Sequence, residues 1–489
     1  MSDVPLISTR LLLRKGTFSA NVLTLTAGTV LSQGLNAAAT LILARIFTPE
    51  DFGLLALFMA ITTSLSVIAS WRYETAVMLP EKEEEAANLQ VLAFLILLGM
   101  SALSLVCVAL FRNSIAQMLG ENRLAPWLWG VPITLFSSGL YQILSYWASR
   151  EKHFHLLAIS RVGQTLGIVG AQLGFLALGL GGAKALIFGW VAGQSVGVAI
   201  LFERALKDEG QFVRRSLDWG LVRSGFFKYK NFPIYTAPYT FVGNAAKQVV
   251  FVVLRVFADI HVVGLFSMAR RAVTLPVSFI TSSMKQVFYE KASTELNSGH
   301  LEPFVLRILK IQVALATPVL VFFVFEAELL LGVVLGAVWA ASGPFASLLA
   351  FSGYLEFVTS WMDRIFDVKG RQNLALTWEV LRDIVVIGFL ALSLRLLGNP
   401  LLAVGVYVAL DFLCIVVWIV MAFRTANFTV SNLWQIGALF LGVGSVVAAM
   451  LWGIRLIFTP WPALAVSSAV VMAMVGFVFV RYSRGSRFL

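Results

Sequence analysis

About fourteen times along this chain, about twenty residues pass with few or no charges, and that recurrence constrains the fold more than any other feature. A helix crossing a bilayer core needs about 20 mostly apolar residues, because each backbone N–H and C=O must find its partner inside the segment. The runs lie at about 18–45, 52–79, 89–111, 125–148, 157–179, 182–203, 232–256, 260–288, 304–325, 343–366, 375–396, 401–423, 433–457 and 461–481. Composition agrees: 59% of the 489 residues are hydrophobic and 13% charged, where soluble domains carry about 25% charged residues. The expected fold class is all-α, a polytopic membrane protein with about fourteen transmembrane helices.

The net charge of +11 does not point to nucleic acid here. The basic residues gather in the short connections that follow even-numbered spans, which is the positive-inside pattern, so both termini are expected on the cytoplasmic side. Arg10, Arg14 and Lys15 precede a first apolar run too long for a signal-peptide core, which reads as a retained helix. Cys107 and Cys414, the only cysteines, both fall inside spans and suggest neither a disulfide framework nor a metal site. No G-x-x-x-x-G-K-[ST] and no H-E-x-x-H occurs, so neither an ATPase site nor a zinc site is expected, and no cofactor. No exported connection is long enough to hold a folded domain, which argues against a membrane-embedded glycan polymerase or ligase. Moving a solute is the expectation, rather than chemistry on a covalent bond.

The longest polar connection runs from Glu203 to Pro233. Its basic residues alternate with Phe212, Leu217, Trp219, Leu221, Phe226 and Phe227, the pattern of an amphipathic segment lying on a leaflet of anionic lipid. On either side of it the chain repeats. ARIFTPEDFGLLAL (Ala44–Leu57) and LRVFADIHVVGLFSM (Leu254–Met268) share R-[IV]-F, a short acidic turn and G-L, each closing one span and opening the next. The division expected from this is a six-helix lobe at 1–205, a basic amphipathic linker at 206–230, a second six-helix lobe at 231–425, and two further spans with a basic tail at 426–489. Parallel repeats of this kind are a transporter feature, with the substrate site where the repeats meet.

Ionisable residues inside spans mark function more often than decoration, since one charge near the bilayer centre costs roughly 2.5–3.5 kcal/mol. Arg270 and Arg271 sit together in the eighth span; helical geometry turns them about 100° apart, so they address different surroundings. Lys247 lies in the seventh span beside Asn244 and Gln248, and reads with Arg271 as one of the deeper cations. Arg72 and Glu74 lie in the second span, about 200° apart on a continuous helix, which would keep them from pairing directly. Arg161 and Arg364 read as interfacial. Asp411 lies midway along the twelfth span. Guanidinium suits phosphate because its fork donates two parallel hydrogen bonds and stays charged in a dry site. The candidates for binding an anionic substrate are thus Arg271, Lys247, Arg270, Arg72, Asn244 and Gln248; those for ion coupling are Glu74 and Asp411.

Four stretches then carry a resemblance: LTAGTVLSQGLNAAATLILARIFTPEDFGLLALF (Leu25–Phe58), RYETAVMLPEKEEEAANL (Arg72–Leu89), KYKNFPIYTAPYTFVGNAAKQ (Lys228–Gln248) and VGLFSMARRAVTLPVSFITSSMKQVFYEKAS (Val263–Ser293). In this order they resemble the polysaccharide-transporter (Wzx-type) branch of the multidrug/oligosaccharidyl-lipid/polysaccharide flippase superfamily. The resemblance implies two pseudo-symmetric six-helix lobes forming a V-shaped cavity that opens alternately to each side. It implies a cargo, an oligosaccharide on undecaprenyl diphosphate, carried from the cytoplasmic to the periplasmic leaflet of a bacterial inner membrane for O-antigen, capsule or exopolysaccharide assembly. The family's arginine five residues before a proline falls on Arg271, with Pro276. The last two spans depart from members that stop at about twelve. The transport unit is expected to be a monomer, working beside a glycan polymerase or other assembly proteins. The rival readings are a cation-coupled small-molecule exporter on the same fold, a glycan polymerase or ligase, and a scaffold subunit without transport of its own.

Overall fold

The computed structural model describes residues 18–208, 210–295 and 301–484. The expected basic N-terminus lies outside them, as do the tail residues after Arg484. Fourteen helices of 17 residues or more follow one another among the described residues, in the order the apolar runs predict. Nine of them satisfy length and hydropathy criteria for a membrane span by themselves. The protein is a multi-pass, all-helical membrane protein. Its contacts group residues up to Val256 into one unit and those from Phe257 into another.

The first unit opens with α1 (Phe18–Ile46), α2 (Pro49–Ser66), the short α3 (Tyr73–Ala76), α4 (Glu83–Met118), a 3-10 turn at Asn122–Trp129, α5 (Gly130–Arg150), α6 (Phe154–Ala177) and α7 (Ala183–Asp208). The T-P-E-D turn starts α2 for a local reason. Thr48 accepts from the Asp51 N–H and Asp51 accepts from the Thr48 N–H, a reciprocal capping box behind a proline that needs no N–H partner. Asp51 Oδ1 also accepts from the Ala183 N–H at 2.7 Å, pinning the start of α7 to the start of α2. The α6–α7 connection sits at Gly179–Gly182, where both end glycines take positive φ.

Small residues let these helices approach closely, which matters in lipid because packing rather than hydrophobic exclusion holds spans together. A Cβ on Gly193 of α7 would fall 2.2 Å from Ile168 Cα of α6. Gly193→Val should therefore force the hairpin apart at a cost of several kcal/mol, beyond the roughly 1–3 kcal/mol of ordinary overpacking, because backbone cannot rotate away. The expected readout is a sharp fall in folded protein recovered from membranes, and Gly174→Val, which meets nothing within 4 Å, is the control that should not fall.

The connection that follows holds α8 (Gly210–Arg215) and α9 (Trp219–Lys228), and a π turn at Phe232–Thr236 leads into α10 (Ala237–Phe257). From the sequence α10 opens the second lobe; its contacts put it, up to Val256, in the first unit. The physical ties are polar. Asn244 Nδ2 donates to the Thr63 carbonyl of α2 at 3.1 Å, and Arg255 Nε donates to Glu121 at 3.1 Å.

The second unit contains α11 (Ile260–Glu295), α12 (Leu301–Leu335), a 3-10 turn at Ala337–Ser342, α13 (Gly343–Thr359), the short α14 (Asp363–Val368), α15 (Gln372–Leu397), α16 (Pro400–Ala426), α17 (Leu433–Ile457) and α18 (Pro460–Arg484). The order of long helix, 3-10 turn and glycine-started helix occurs in each unit: α4 to α5 in the first, α12 to α13 in the second. At Gly343 the reason is again close approach, since a Cβ would lie 2.2 Å from Glu328 Cα. The two final helices are fixed to α12. Val447, Leu451 and Val471 pack with Val321, Phe322 and Phe325. Beside them, buried Glu326 accepts from Arg455 Nε at 3.2 Å and from Ser467 Oγ at 3.3 Å.

Candidate functional site

The second expected span is not one helix. After Ser66 the chain passes through turns, and Trp71 and Arg72 take left-handed conformations, φ 51° and 65°. Two consecutive non-glycine residues there are costly, of order 1–3 kcal/mol each, and persist only where the surroundings hold them. The break overturns the expectation that Arg72 and Glu74 point apart. Arg72 Nη1 lies 3.2 Å from Glu74 Oε1, because left-handed residues reverse the rotation that a continuous helix would impose. Glu74 is fully buried, and its second oxygen accepts from Ser70 Oγ at 2.5 Å. Arg72 Nε is buried without a hydrogen-bond partner. Tyr73 between them is also buried, its hydroxyl donating to the Phe226 carbonyl of α9 at 2.8 Å. The segment closes on Arg150, whose guanidinium donates to the carbonyls of Val77 and Pro80, both at 2.8 Å.

The candidates on α10 separate. Asn244 is engaged with the Thr63 carbonyl and works as a helix–helix tie. Lys247 is exposed and Gln248 half-buried.

In the second unit Arg270 and Arg271 are both half-buried on α11, directly after the buried run Phe266, Met268 and Ala269. Val273, one turn on, packs on α13 at Gly353, where a Cβ would lie 2.3 Å from Val273 Cγ1. Asp411 of α16 is buried and paired: Arg382 Nε donates to its Oδ1 at 2.8 Å, Arg382 Nη2 at 2.5 Å, and Ser352 Oγ donates to Oδ2 at 3.3 Å. Tyr407, one turn before Asp411, lies within electrostatic reach of Asp411, Arg270, Arg382 and Asp383. Arg270 lies within electrostatic reach of Tyr407 on another helix.

Two buried acids were not picked out from the sequence. Glu326 falls just past the expected end of the ninth span, and only the structure brings Arg455 to it. Glu121, in the turn after α4, is buried and holds two arginines, Arg123 Nε at 2.8 Å and Arg255 Nε at 3.1 Å. Burial pushes its carboxyl up, but the bonds from Arg123 and Arg255 outweigh that and hold it below the usual carboxylate range. The nearness of Arg112, Arg123 and Arg255 to span ends was the available signal. Among the described residues no group of His, Cys, Asp and Glu could hold a metal ion, and both cysteines are free thiols.

A sequence model of the family described as "Polysaccharide biosynthesis protein" matches residues 42–344, a range containing the Arg72–Glu74 break, α10 and both arginines of α11. A search of curated proteins returns no significant match. Among solved structures, "Lipid II flippase MurJ, inward closed conformation" superposes with a TM-score of 0.71 at 14% identity, covering 95% of this chain and 99% of that one. An inward-facing multidrug resistance MATE family transporter of the MOP superfamily gives a TM-score of 0.63 at 15% identity, covering 83% and 95%. The MATE multidrug transporter DinF-BH gives 0.57 at 14% identity, covering 86% and 98%. At these identities the likeness is one of fold. It spans nearly the whole of those chains, and with the first of them it takes in 95% of this one.

Proposed function

The chain belongs to the polysaccharide biosynthesis protein family, and from that premise we propose that it is a flippase for a glycan carried on a polyprenyl diphosphate. The observation that carries the proposal is the pair of arginines on α11, inside the family-matched range of a chain with a flippase-type fold. Turning such a lipid requires a large polar headgroup to pass the hydrocarbon core while its tail stays in lipid. The diphosphate is the part most costly to desolvate, and a guanidinium fork meets it with two charge-assisted hydrogen bonds. Arg271 takes that role; Arg72 and Lys247 are further candidate cations for the headgroup, and Gln248 a candidate polar contact for sugar hydroxyls. Arg270, within electrostatic reach of Tyr407, positions α11. The direction is from the cytoplasmic to the periplasmic leaflet of the bacterial inner membrane, serving O-antigen, capsule or exopolysaccharide assembly. The linker at 206–230 meets anionic lipid on the cytoplasmic side.

Of the two acids proposed for ion coupling, Glu74 suits the role better. Asp411 is held by two bonds from Arg382, whereas Glu74 sits on a strained break with Arg72 as its ion-pair partner. Glu74→Gln should abolish the stimulation of transport by an imposed pH gradient while transport without a gradient persists. Equal stimulation in the variant and the parent would rule Glu74 out.

The direct test uses purified full chain in vesicles and a fluorescent polyprenyl-diphosphate oligosaccharide, read by the fraction accessible to a membrane-impermeant quencher. Movement of the glycan lipid is expected. Movement of cationic dyes with none of the glycan lipid would instead make the chain a small-molecule exporter on the same fold.

A further inference from the structure

The connection between α7 and α10 has one face docked and one face bare, and the two are chemically different. On α9 the docked side consists of Val222 and Gly225, followed by Tyr229 in the next turn, all buried. It rests on α4, where a Cβ on Gly225 would lie 2.9 Å from Leu89 Cδ2. Polar bonds clamp its two ends. Asn88 donates to the Ser216 carbonyl at 2.8 Å and accepts from the Asp218 N–H at 2.9 Å; Lys228 Nζ meets Glu85 Oε1 at 2.5 Å, and Tyr229 donates to the same oxygen at 3.1 Å. The bond to Glu85 holds Lys228 protonated above its usual range.

The bare side carries Trp219, Phe226 and Phe227, 64%, 45% and 59% exposed, with exposed Arg223 and, in the turn that follows, exposed Lys230. At 100° per residue these five fall within a sector of about 100° beside the docked face. Aromatic rings interleaved with long cationic side chains suit the boundary between acyl chains and headgroups, where rings lie in the apolar layer and cations reach up to phosphate. Residues 212–230 hold Arg214, Arg215, Arg223 and Lys230 against one acid, Asp218, while Lys228 is taken up by Glu85. Asp218 already caps the Gly220 N–H at 2.7 Å. The segment runs between two membrane helices, so the surface it meets is that of a bilayer.

One contact makes this more than adhesion. Phe226, on the bare stripe, accepts from the Tyr73 hydroxyl through its carbonyl, and the two rings stack with centroids 6.0 Å apart. Tyr73 stands between Arg72 and Glu74, the strained and buried pair. We infer that the Trp219–Lys230 face is a docking surface for anionic phospholipid headgroups, and that their binding tightens the Arg72–Glu74 break through Tyr73. What the break then controls rests on the flippase reading; the docking and its transmission do not.

The test uses full chain in phosphatidylcholine vesicles with and without phosphatidylglycerol, and no glycan. Amides across the break, among them Tyr73 N–H on the Ser70 carbonyl and Thr75 N–H on the Arg72 carbonyl, should exchange roughly tenfold more slowly when phosphatidylglycerol is present, the factor that the attraction of one or two basic residues to an anionic surface supplies. A nitroxide at Phe227→Cys, in a chain with Cys107→Ala and Cys414→Ala, should move from water to headgroup depth on the same change of lipid. Tyr73→Phe keeps the ring and removes the hydroxyl, so it should leave label depth unchanged and erase the lipid effect on exchange. A label that stays in water with phosphatidylglycerol present overturns the docking surface. Exchange at the break that ignores the lipid in the parent chain, or a lipid effect that survives Tyr73→Phe, overturns the transmission. Failure of the flippase proposal would show as no glycan movement in either lipid, a separate result.

Discussion

Replacing Arg271 by alanine is expected to reduce flipping of the diphosphate-linked glycan by about 10²–10⁴-fold, which in cells means loss of the surface polysaccharide. The size follows from the chemistry: a guanidinium fork on a diphosphate makes two hydrogen bonds to a charged group, together worth about 3–6 kcal/mol, and that energy converts to those factors in a rate. Arg271→Lys keeps the charge and loses the fork, so it should fall between the parent and the alanine variant. Folded protein should accumulate normally, because the substitution also removes a charge that costs roughly 2.5–3.5 kcal/mol to place in a span. Arg270→Ala should have a smaller effect on transport and a larger one on thermal stability. Full complementation of a strain lacking its own flippase by Arg271→Ala would remove the diphosphate contact from the mechanism.

The second large effect concerns folding rather than transport. Asp411→Ala should destabilise the second unit by about 3 kcal/mol, since it leaves the Arg382 guanidinium without the carboxylate that holds it. That figure sits at the low end for a buried pair because Arg382 is 30% exposed. Thermal unfolding in detergent should show the loss. The joint change Arg382→Leu with Asp411→Leu should restore most of it, because removing both charges also removes both desolvation costs. A double variant as unstable as Asp411→Ala alone would mean that packing around α15 and α16, and not the ion pair, is what the alanine disturbs.

These two expectations separate residues that looked alike in the primary structure. Arg271, Arg72, Lys247, Glu74 and Asp411 each stood out as a charge within an apolar run. In the folded chain Asp411 pairs with Arg382, Lys247 is exposed, and Asn244 donates to the Thr63 carbonyl of α2. Glu74 and Arg72 form a pair on a broken helix. Their surroundings differ because neighbouring helices bring different partners to each, from 29 residues away for Asp411 and 181 for Asn244.

The order of the fourteen helices, the amphipathic connection, the short acidic turn before α2 and the R-[IV]-F…G-L repeat were all legible in the amino-acid order. Each depends on interactions within about one span: apolar length, local capping, and charge bias across short connections. The unwinding at Val67–Arg72, the α10 contacts with the first unit and the clamp of α17 and α18 on Glu326 were not legible. They depend on which side chains meet after spans have packed, and no local periodicity encodes a partner 129 positions away, as Arg455 is from Glu326. The arginines of α11 stand on both sides of this line. Two adjacent cations in an apolar run already demanded an anionic or aqueous surrounding, since lipid alone cannot hold them. The resemblance singled out Arg271, five residues before Pro276; what only the tertiary structure added is the surroundings of α11, with Arg270 within electrostatic reach of Tyr407 on α16.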